Sequence, residues 1–226
     1  MLVKIGNWFF HYRNYLFPIF YLALFAPSPE IFATGNLPYV LGLVIIFLGI
    51  MVRVVTIGLV YILRGGRGRK ISANELVTEG IYSVCRNPMY LGNILLLLGF
   101  GIYANSLLFL VIFFPFFCFI YLAIIKAEED FLIGRFGEQY IEYKKDTYSI
   151  IPKLGRVGKL FGEYSFNLIR VINREYNSVY IYFSGILLLS WYHRLFDYKL
   201  FIILFGSLTV IYLIVKYFKR RGAFGL

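Results

Sequence analysis

From Leu37 to Leu63 the chain carries a single charged side chain, Arg53. A bilayer core takes roughly 20 mostly apolar residues per helix, and soluble proteins rarely hold so long an uninterrupted run. That segment demands a membrane, and the rest of the chain agrees with it. Apolar stretches recur at about 10–26, closed by Pro27 and Pro29, at 88–104, at 107–125, at 179–191 and at 200–215. Residues of the AVILMFWYC set make up 60% of the chain and charged residues 15%, with a mean hydropathy of +0.72. A soluble domain is closer to half apolar and a quarter charged. A disordered tail, a coiled coil and a disulfide-stapled secreted domain are excluded on the same grounds. The expected fold is all-α, a polytopic transmembrane helix bundle of about six spans. Asn105 and Ser106 leave so short a turn that the third and fourth spans should form a tight antiparallel hairpin.

Charge sets the expected orientation. With six spans, segments 1–13, 64–86, 126–178 and 216–226 share one side and hold twenty of the 23 Lys and Arg residues. The opposite side holds two, Arg194 and Lys199. Positive charge is retained on the cytoplasmic side, so both termini and the long polar segments are expected there. The net charge of +11 reads as topology and contact with anionic lipid headgroups, and nucleic acid is not an expected partner. The Gly-rich basic run Arg64–Lys70 lacks phosphate-loop spacing and reads as a lipid-facing loop. Lys4 and the following apolar stretch, with no small-residue cleavage site, read as a retained first helix. Cys85 and Cys118 form no disulfide framework, and His11 and His193 show no metal-ligand spacing.

Two segments on the expected cytoplasmic side carry chemistry. In the first, Leu76 to Asn93, Asn87 followed by Pro88 is a helix-start signal. The first-turn amides of such a helix are free donors at a partially positive end, where a carboxylate or phosphate can bind. Arg86 adds a donor fork, and Tyr82 and Tyr90 add aromatic faces. In the second, Glu128, Glu129 and Asp130 stand in a row near a helix C-terminal end, where acids oppose the dipole. Arg86, Lys126 or a bound cation should compensate them. The hairpin brings the two segments together, so the Asn87 turn should face Glu128 and Glu129, an arrangement suited to a zwitterionic ligand. Phe131, Phe136, Tyr140 and Tyr143 recur near helical spacing, as in an interfacial helix or a packed core. Arg53, inside an apolar span, either snorkels or meets an anionic headgroup.

These residues, in this order, resemble the isoprenylcysteine carboxyl methyltransferase and phospholipid methyltransferase superfamily of integral membrane enzymes. The matching positions are Leu76-Val77, Gly80-Ile81-Tyr82, Arg86-Asn87-Pro88-Met89-Tyr90, Glu128-Glu129, Leu132, Phe136-Gly137, Tyr140, Tyr143 and Pro152. Asn87 stands where the family pattern has His, so a mechanism using that position as a base is not available. The resemblance implies methyl transfer from S-adenosylmethionine to a membrane lipid or lipidated acceptor, with the cofactor held at the cytoplasmic end of the hairpin. It implies Leu76, Val77, Gly80, Tyr82, Arg86, Asn87, Pro88, Tyr90, Glu128 and Tyr140 as cofactor-binding positions. Glu128, Glu129 and Arg86 are the candidate catalytic groups, with Glu129 the nearest base for an amine acceptor. Arg53 and Tyr143 are the candidate acceptor contacts.

The expected organisation is an N-terminal helix and external loop over 1–36, a methyltransferase-like core over 37–153, and a basic interfacial segment with a helical hairpin over 154–226. A prokaryotic plasma membrane is the expected location. Two other readings stay open at this point. A nicotinamide-dependent membrane reductase of sterol-like or enone substrates would bind reduced nicotinamide and ignore S-adenosylmethionine. A non-catalytic membrane scaffold would tolerate Glu128→Ala.

Overall fold

The computed structural model describes residues 1–33, 35–59, 71, 73, 75–160 and 165–222. The basic run Arg64–Lys70 lies outside the described residues, as does the end of the second apolar segment beyond Leu59. The chain divides into two compact units, residues 1–165 and 166–226.

The first unit contains α1 (Leu2–Ala23), α2 (Leu37–Leu59), the single turn α3 (Ile81–Val84), α4 (Pro88–Tyr103), α5 (Phe114–Phe136) and α6 (Glu138–Asp146). A π-helical stretch, Phe109–Phe113, leads into α5, and a 3-10 turn spans Leu154–Lys159. Among the described residues no strand forms, and an isolated bridge pairs Glu30 with Ser106. The second unit is a pair of helices, α7 (Leu168–Tyr192) and α8 (Tyr198–Arg220). Each of the six apolar segments lies on a helix. Among the described residues, α2, the Phe109–Phe136 helix and α8 are long and apolar enough to cross a membrane, and α4 is apolar but shorter.

Helix starts differ from the apolar boundaries in two places. α1 begins at Leu2, because its polar residues keep helical spacing and Gly6 lets it lie directly against the Ala123 backbone of α5. α7 begins at Leu168, eleven residues before the apolar run, because the Asn167 side chain accepts from the Arg170 amide at 2.9 Å and caps it. Asp197 caps α8 in the same way, accepting from the Leu200 amide at 2.8 Å. Tyr212 of α8 stacks on Tyr180 and Tyr176 of α7, with centroids 4.4 and 5.7 Å apart, and its hydroxyl donates to Asn177 at 3.0 Å.

The turn between α4 and α5 is as short as the sequence indicates. Asn105 takes a left-handed φ of 48° and does more than turn the chain. Its Oδ1 accepts from the Ile31 and Phe32 amides, both at 3.0 Å, so it also ties down the loop after α1. The main helix partners are not the two arms of that hairpin, however. α4 packs chiefly on α2, and α5 chiefly on α1.

The α2–α4 seam is built from small residues at matched spacing. Gly42, Ile46, Gly49 and Arg53 on α2 run antiparallel to Tyr103, Gly99, Leu96 and Gly92 on α4. Within a bilayer, close backbone approach replaces the hydrophobic effect as the source of helix association. A Cβ on Gly99 would lie 2.7 Å from the Ile46 amide nitrogen and 3.0 Å from the Gly42 carbonyl oxygen. Both are backbone atoms, so no rotamer change relieves the contact. In a free helix Gly→Ala gains about 0.5–1 kcal/mol. Here Gly99→Ala is expected to lose about 1–3 kcal/mol instead. Thermal unfolding in detergent reads the sign, and an unchanged or raised Tm would show that the two backbones do not meet there.

Candidate functional site

The start of α4 is held by a strap. Residues 84–87 pair with the chain after α6: Arg86 N donates to Tyr148 O at 3.0 Å, Asn87 N to Ser149 O at 2.9 Å, and Lys153 N to Val84 O at 2.9 Å. The Asn87 side chain does not cap α4, as the Asn-Pro signal suggested. Its Nδ2 donates to the Ser149 carbonyl at 3.2 Å and hydroxyl at 3.1 Å, so its hydrogen-bonding capacity goes into the strap. The Cys85 thiol donates to the Ser149 and Ile150 carbonyls at 3.3 and 3.2 Å. Burial pushes this thiol up to about 11, so it stays protonated at neutral pH and is a structural donor. The far end of the strap is fixed by Asp146, which accepts from the Arg156 fork at 2.7 and 2.9 Å. That fork, with Lys153 beside it, holds the Asp146 carboxyl down at about 2.

Below the strap lies an ionic clamp. Arg86 Nη2 donates to Glu129 Oε1 at 2.6 Å, and Lys144 Nζ donates to Glu129 Oε2 at 2.8 Å. Arg86 Nη1 also donates to the carbonyls of Lys144, at 3.1 Å, and of Thr147. The Arg86 and Glu129 side chains are 7% and 8% exposed. A buried carboxylate is tolerable only when paired and hydrogen-bonded, and here each oxygen has a cation. The clamp joins the start of α4, the end of α5 and the C-terminal end of α6. α6 can fold back because Gly137 turns the chain with a φ of 55°, a conformation that favours glycine. Two expected roles change as a result. Glu129 is spent on two cations and is not a free base. The Arg86 fork is occupied by protein and is not presented to a ligand carboxylate.

Glu128, one residue earlier, points elsewhere. Its Oε1 accepts from the Tyr90 hydroxyl at 2.8 Å. The Tyr90 ring lies against Tyr121, two turns earlier on α5, with centroids 5.3 Å apart. Arg13 of α1 is close enough for its charge to act on Tyr90. The ends of α4 and α5 thus present a carboxylate beside two aromatic rings, apart from the clamp.

The remaining site positions form the supporting layer. Gly80 (φ 59°) opens α3, and its carbonyl accepts from the Ser83 hydroxyl at 2.8 Å. Val77 and Tyr82 pack with Leu59, Ile81, Val84 and Leu160. Leu76 packs with Ala73, Leu132, Tyr140 and Tyr143, alongside Phe131 and Phe136. Tyr140 is 1% exposed, and the Tyr143 hydroxyl donates to the Tyr82 carbonyl at 2.7 Å. Both tyrosines therefore face protein. Pro88 is buried in the first turn of α4. Arg53 does not snorkel; it is 8% exposed and its Nη1 donates to Asn93 Oδ1 across the α2–α4 seam.

Sequence reasoning missed Lys144, Ser149, Asn93 and Tyr121. Only Tyr121 left a signal, its seven-residue spacing before Glu128, which puts the two on one helix face. The others are joined to their partners across long stretches of chain.

The model of the phospholipid methyltransferase family matches residues 37–139. A cobalt-zinc-cadmium resistance protein, CzcN, of Cupriavidus metallidurans is 40% identical over 87 residues, 38% of this chain and 39% of the relative. A nickel-cobalt-cadmium resistance protein, NccN, of Alcaligenes xylosoxydans is 36% identical over the same shares. A protein-S-isoprenylcysteine O-methyltransferase of Schizosaccharomyces pombe is 37% identical over 81 residues, 34% of this chain and 33% of the relative. The matches thus span about two fifths or less of these relatives' lengths. No solved structure matches the chain. The matched segment contains α2, α4, the Arg86–Glu129 pair and the Tyr90–Glu128 pair. Over this core the chain is similar to the phospholipid methyltransferase family and, in part, to an isoprenylcysteine O-methyltransferase.

Proposed function

We propose that the protein transfers a methyl group from S-adenosylmethionine to a lipid or lipidated acceptor, where α4 begins beside the end of α5. The observation that carries this reading is the Glu128–Tyr90 pair, backed by Tyr121, inside the family-matched segment. S-adenosylmethionine has an ammonium and a sulfonium, and a carboxylate next to aromatic faces suits both. Glu128 would hold the ammonium, and Tyr90 and Tyr121 would face the cationic sulfur. The donor's carboxylate would lie at the positive N-terminal end of α4, since the Arg86 fork is already engaged. When bound, the cofactor supplies an electrophilic methyl carbon on sulfur. The chain's part is positioning: the clamp and strap fix α4 against α5, so Tyr90 and Glu128 stay in register. The charge asymmetry supports a cytoplasmic position for this end of the bundle and for both termini, with the basic residues against anionic headgroups. It suits a prokaryotic plasma membrane.

Equilibrium binding to detergent-purified protein tests the reading. S-adenosylmethionine is expected to bind saturably to wild type and at least tenfold more weakly to Glu128→Ala, the loss of one charge-assisted contact of roughly 1.5–3 kcal/mol. Folded wild-type protein that binds none would overturn the reading.

A further inference from the structure

α1 packs against the corner that holds Tyr90 and Glu128. It runs antiparallel to α5: Gly6 meets Ala123, and Phe20, two thirds of the way along α1, meets Phe113. Between them Phe10, Arg13 and Phe17 follow at i, i+3 and i+7, one face of a helix. Phe17 lies against Phe117 and Tyr121 of α5, with centroids 5.5 and 5.6 Å apart. Tyr121 in turn lies against Tyr90 of α4. This face of α1 therefore looks onto the tyrosine pair beside Glu128.

Arg13 is the cation on that face. Its guanidinium stands over the Phe10 ring, 4.2 Å from the centroid, and Phe10 is 2% exposed. The ring attracts the positive charge but accepts no conventional hydrogen bond from it. The charge of Arg13 acts on Tyr90, whose hydroxyl donates to Glu128. A base and an acid thus stand on either side of one tyrosine. Arg13, Tyr90 and Glu128 are all half-buried, within reach of a ligand, whereas the Arg86 side chain is closed in by the clamp. An arginine at the edge of an apolar run is costly to desolvate, and an anion on its donors offsets that cost.

The amino-acid end of S-adenosylmethionine carries its ammonium and its carboxylate on one carbon. A site that reads both needs an acid and a base side by side. We propose that Arg13 binds the donor's carboxylate while Glu128 takes the ammonium. α1 lies outside the family-matched residues 37–139, so Arg13 is a cofactor-binding residue supplied from beyond that core. It acts at the same N-terminal end of α4 and stands in for the base that the clamp removes from use. The inference rests on the methyl-transfer reading.

Equilibrium binding to the detergent-purified full chain compares S-adenosylmethionine with its decarboxylated analogue, which keeps the sulfonium and the ammonium. Wild type is expected to hold the full cofactor about ten- to a hundredfold more tightly than the analogue. Arg13→Gln should abolish that preference, weakening the full cofactor by the same factor and leaving the analogue no weaker. Glu128→Ala should weaken both ligands, since both carry the ammonium. Analogue binding by Arg13→Gln shows that the variant is folded. Equal affinity of wild type for the two ligands, full cofactor affinity in Arg13→Gln, or a loss that Arg13→Gln shares between both ligands overturns the proposal; a shared loss is what a merely structural role would give. Those results leave the methyl-transfer reading standing. Folded wild type that binds neither ligand overturns that reading and the Arg13 assignment with it.

Discussion

Glu129→Ala is expected to lower the unfolding free energy by about 3–5 kcal/mol, the cost of leaving a buried charge without its partner. The buried Arg86 guanidinium would then keep the Lys144 and Thr147 carbonyls but lose its carboxylate, and Lys144 would lose its link to α5. Removing both charges should behave differently. Arg86→Met combined with Glu129→Leu fills similar volume and leaves no ion behind, so most of the lost stability should return. The single and double variants together separate a structural clamp from a catalytic pair. If Glu129→Ala were as stable as wild type yet inactive, Glu129 would be acting on a ligand, and its assignment to the clamp would be wrong. Lys144→Met should cost less than Glu129→Ala, since the Lys144 side chain is 35% exposed and its pairing is screened by water.

Glu128→Ala has the opposite profile. Glu128 accepts from the Tyr90 hydroxyl, a contact that water can replace, so its loss should cost less stability than Glu129→Ala. Methyl transfer should suffer: kcat/KM is expected to fall about ten- to a hundredfold, from the loss of one charge-assisted contact. Tyr90→Phe keeps the ring beside Tyr121 and removes only the hydroxyl, so a fall of about three- to tenfold is expected. The two residues touch, so the double variant should lose less than the product of the single effects. Product effects in the double variant would mean that Glu128 and Tyr90 act separately, and the shared site would have to be abandoned.

The helices were legible in the sequence because apolar runs of membrane length leave a backbone few alternatives. So was the meeting of the Asn87 turn with the acidic row, since Asn105 and Ser106 allow only a tight return. The allocation of the acids was not legible. Glu128 and Glu129 are neighbours of the same type, and helix rotation sends one to Tyr90 and the other to Arg86. The partner that decides the role of Glu129 is Lys144, brought back by the turn at Gly137. Asn87 misled for a related reason. An Asn before Pro reads locally as a cap, but Ser149, 62 residues away, offers the side chain a carbonyl and a hydroxyl together. Tyr140 and Tyr143 sit at positions that the family resemblance links to ligand binding, and their rings are taken up by packing around Leu132 and Ala73.

The most direct test is transfer itself. Wild-type protein in nanodiscs of mixed phospholipid is incubated with S-adenosylmethionine labelled in the methyl group, and the lipid fraction is extracted and counted. Label is expected to enter the lipid fraction with wild type and to fall at least tenfold with Glu128→Ala. No labelled lipid from folded protein that binds the cofactor would contradict lipid methylation, and label transfer unchanged by Glu128→Ala would contradict the site.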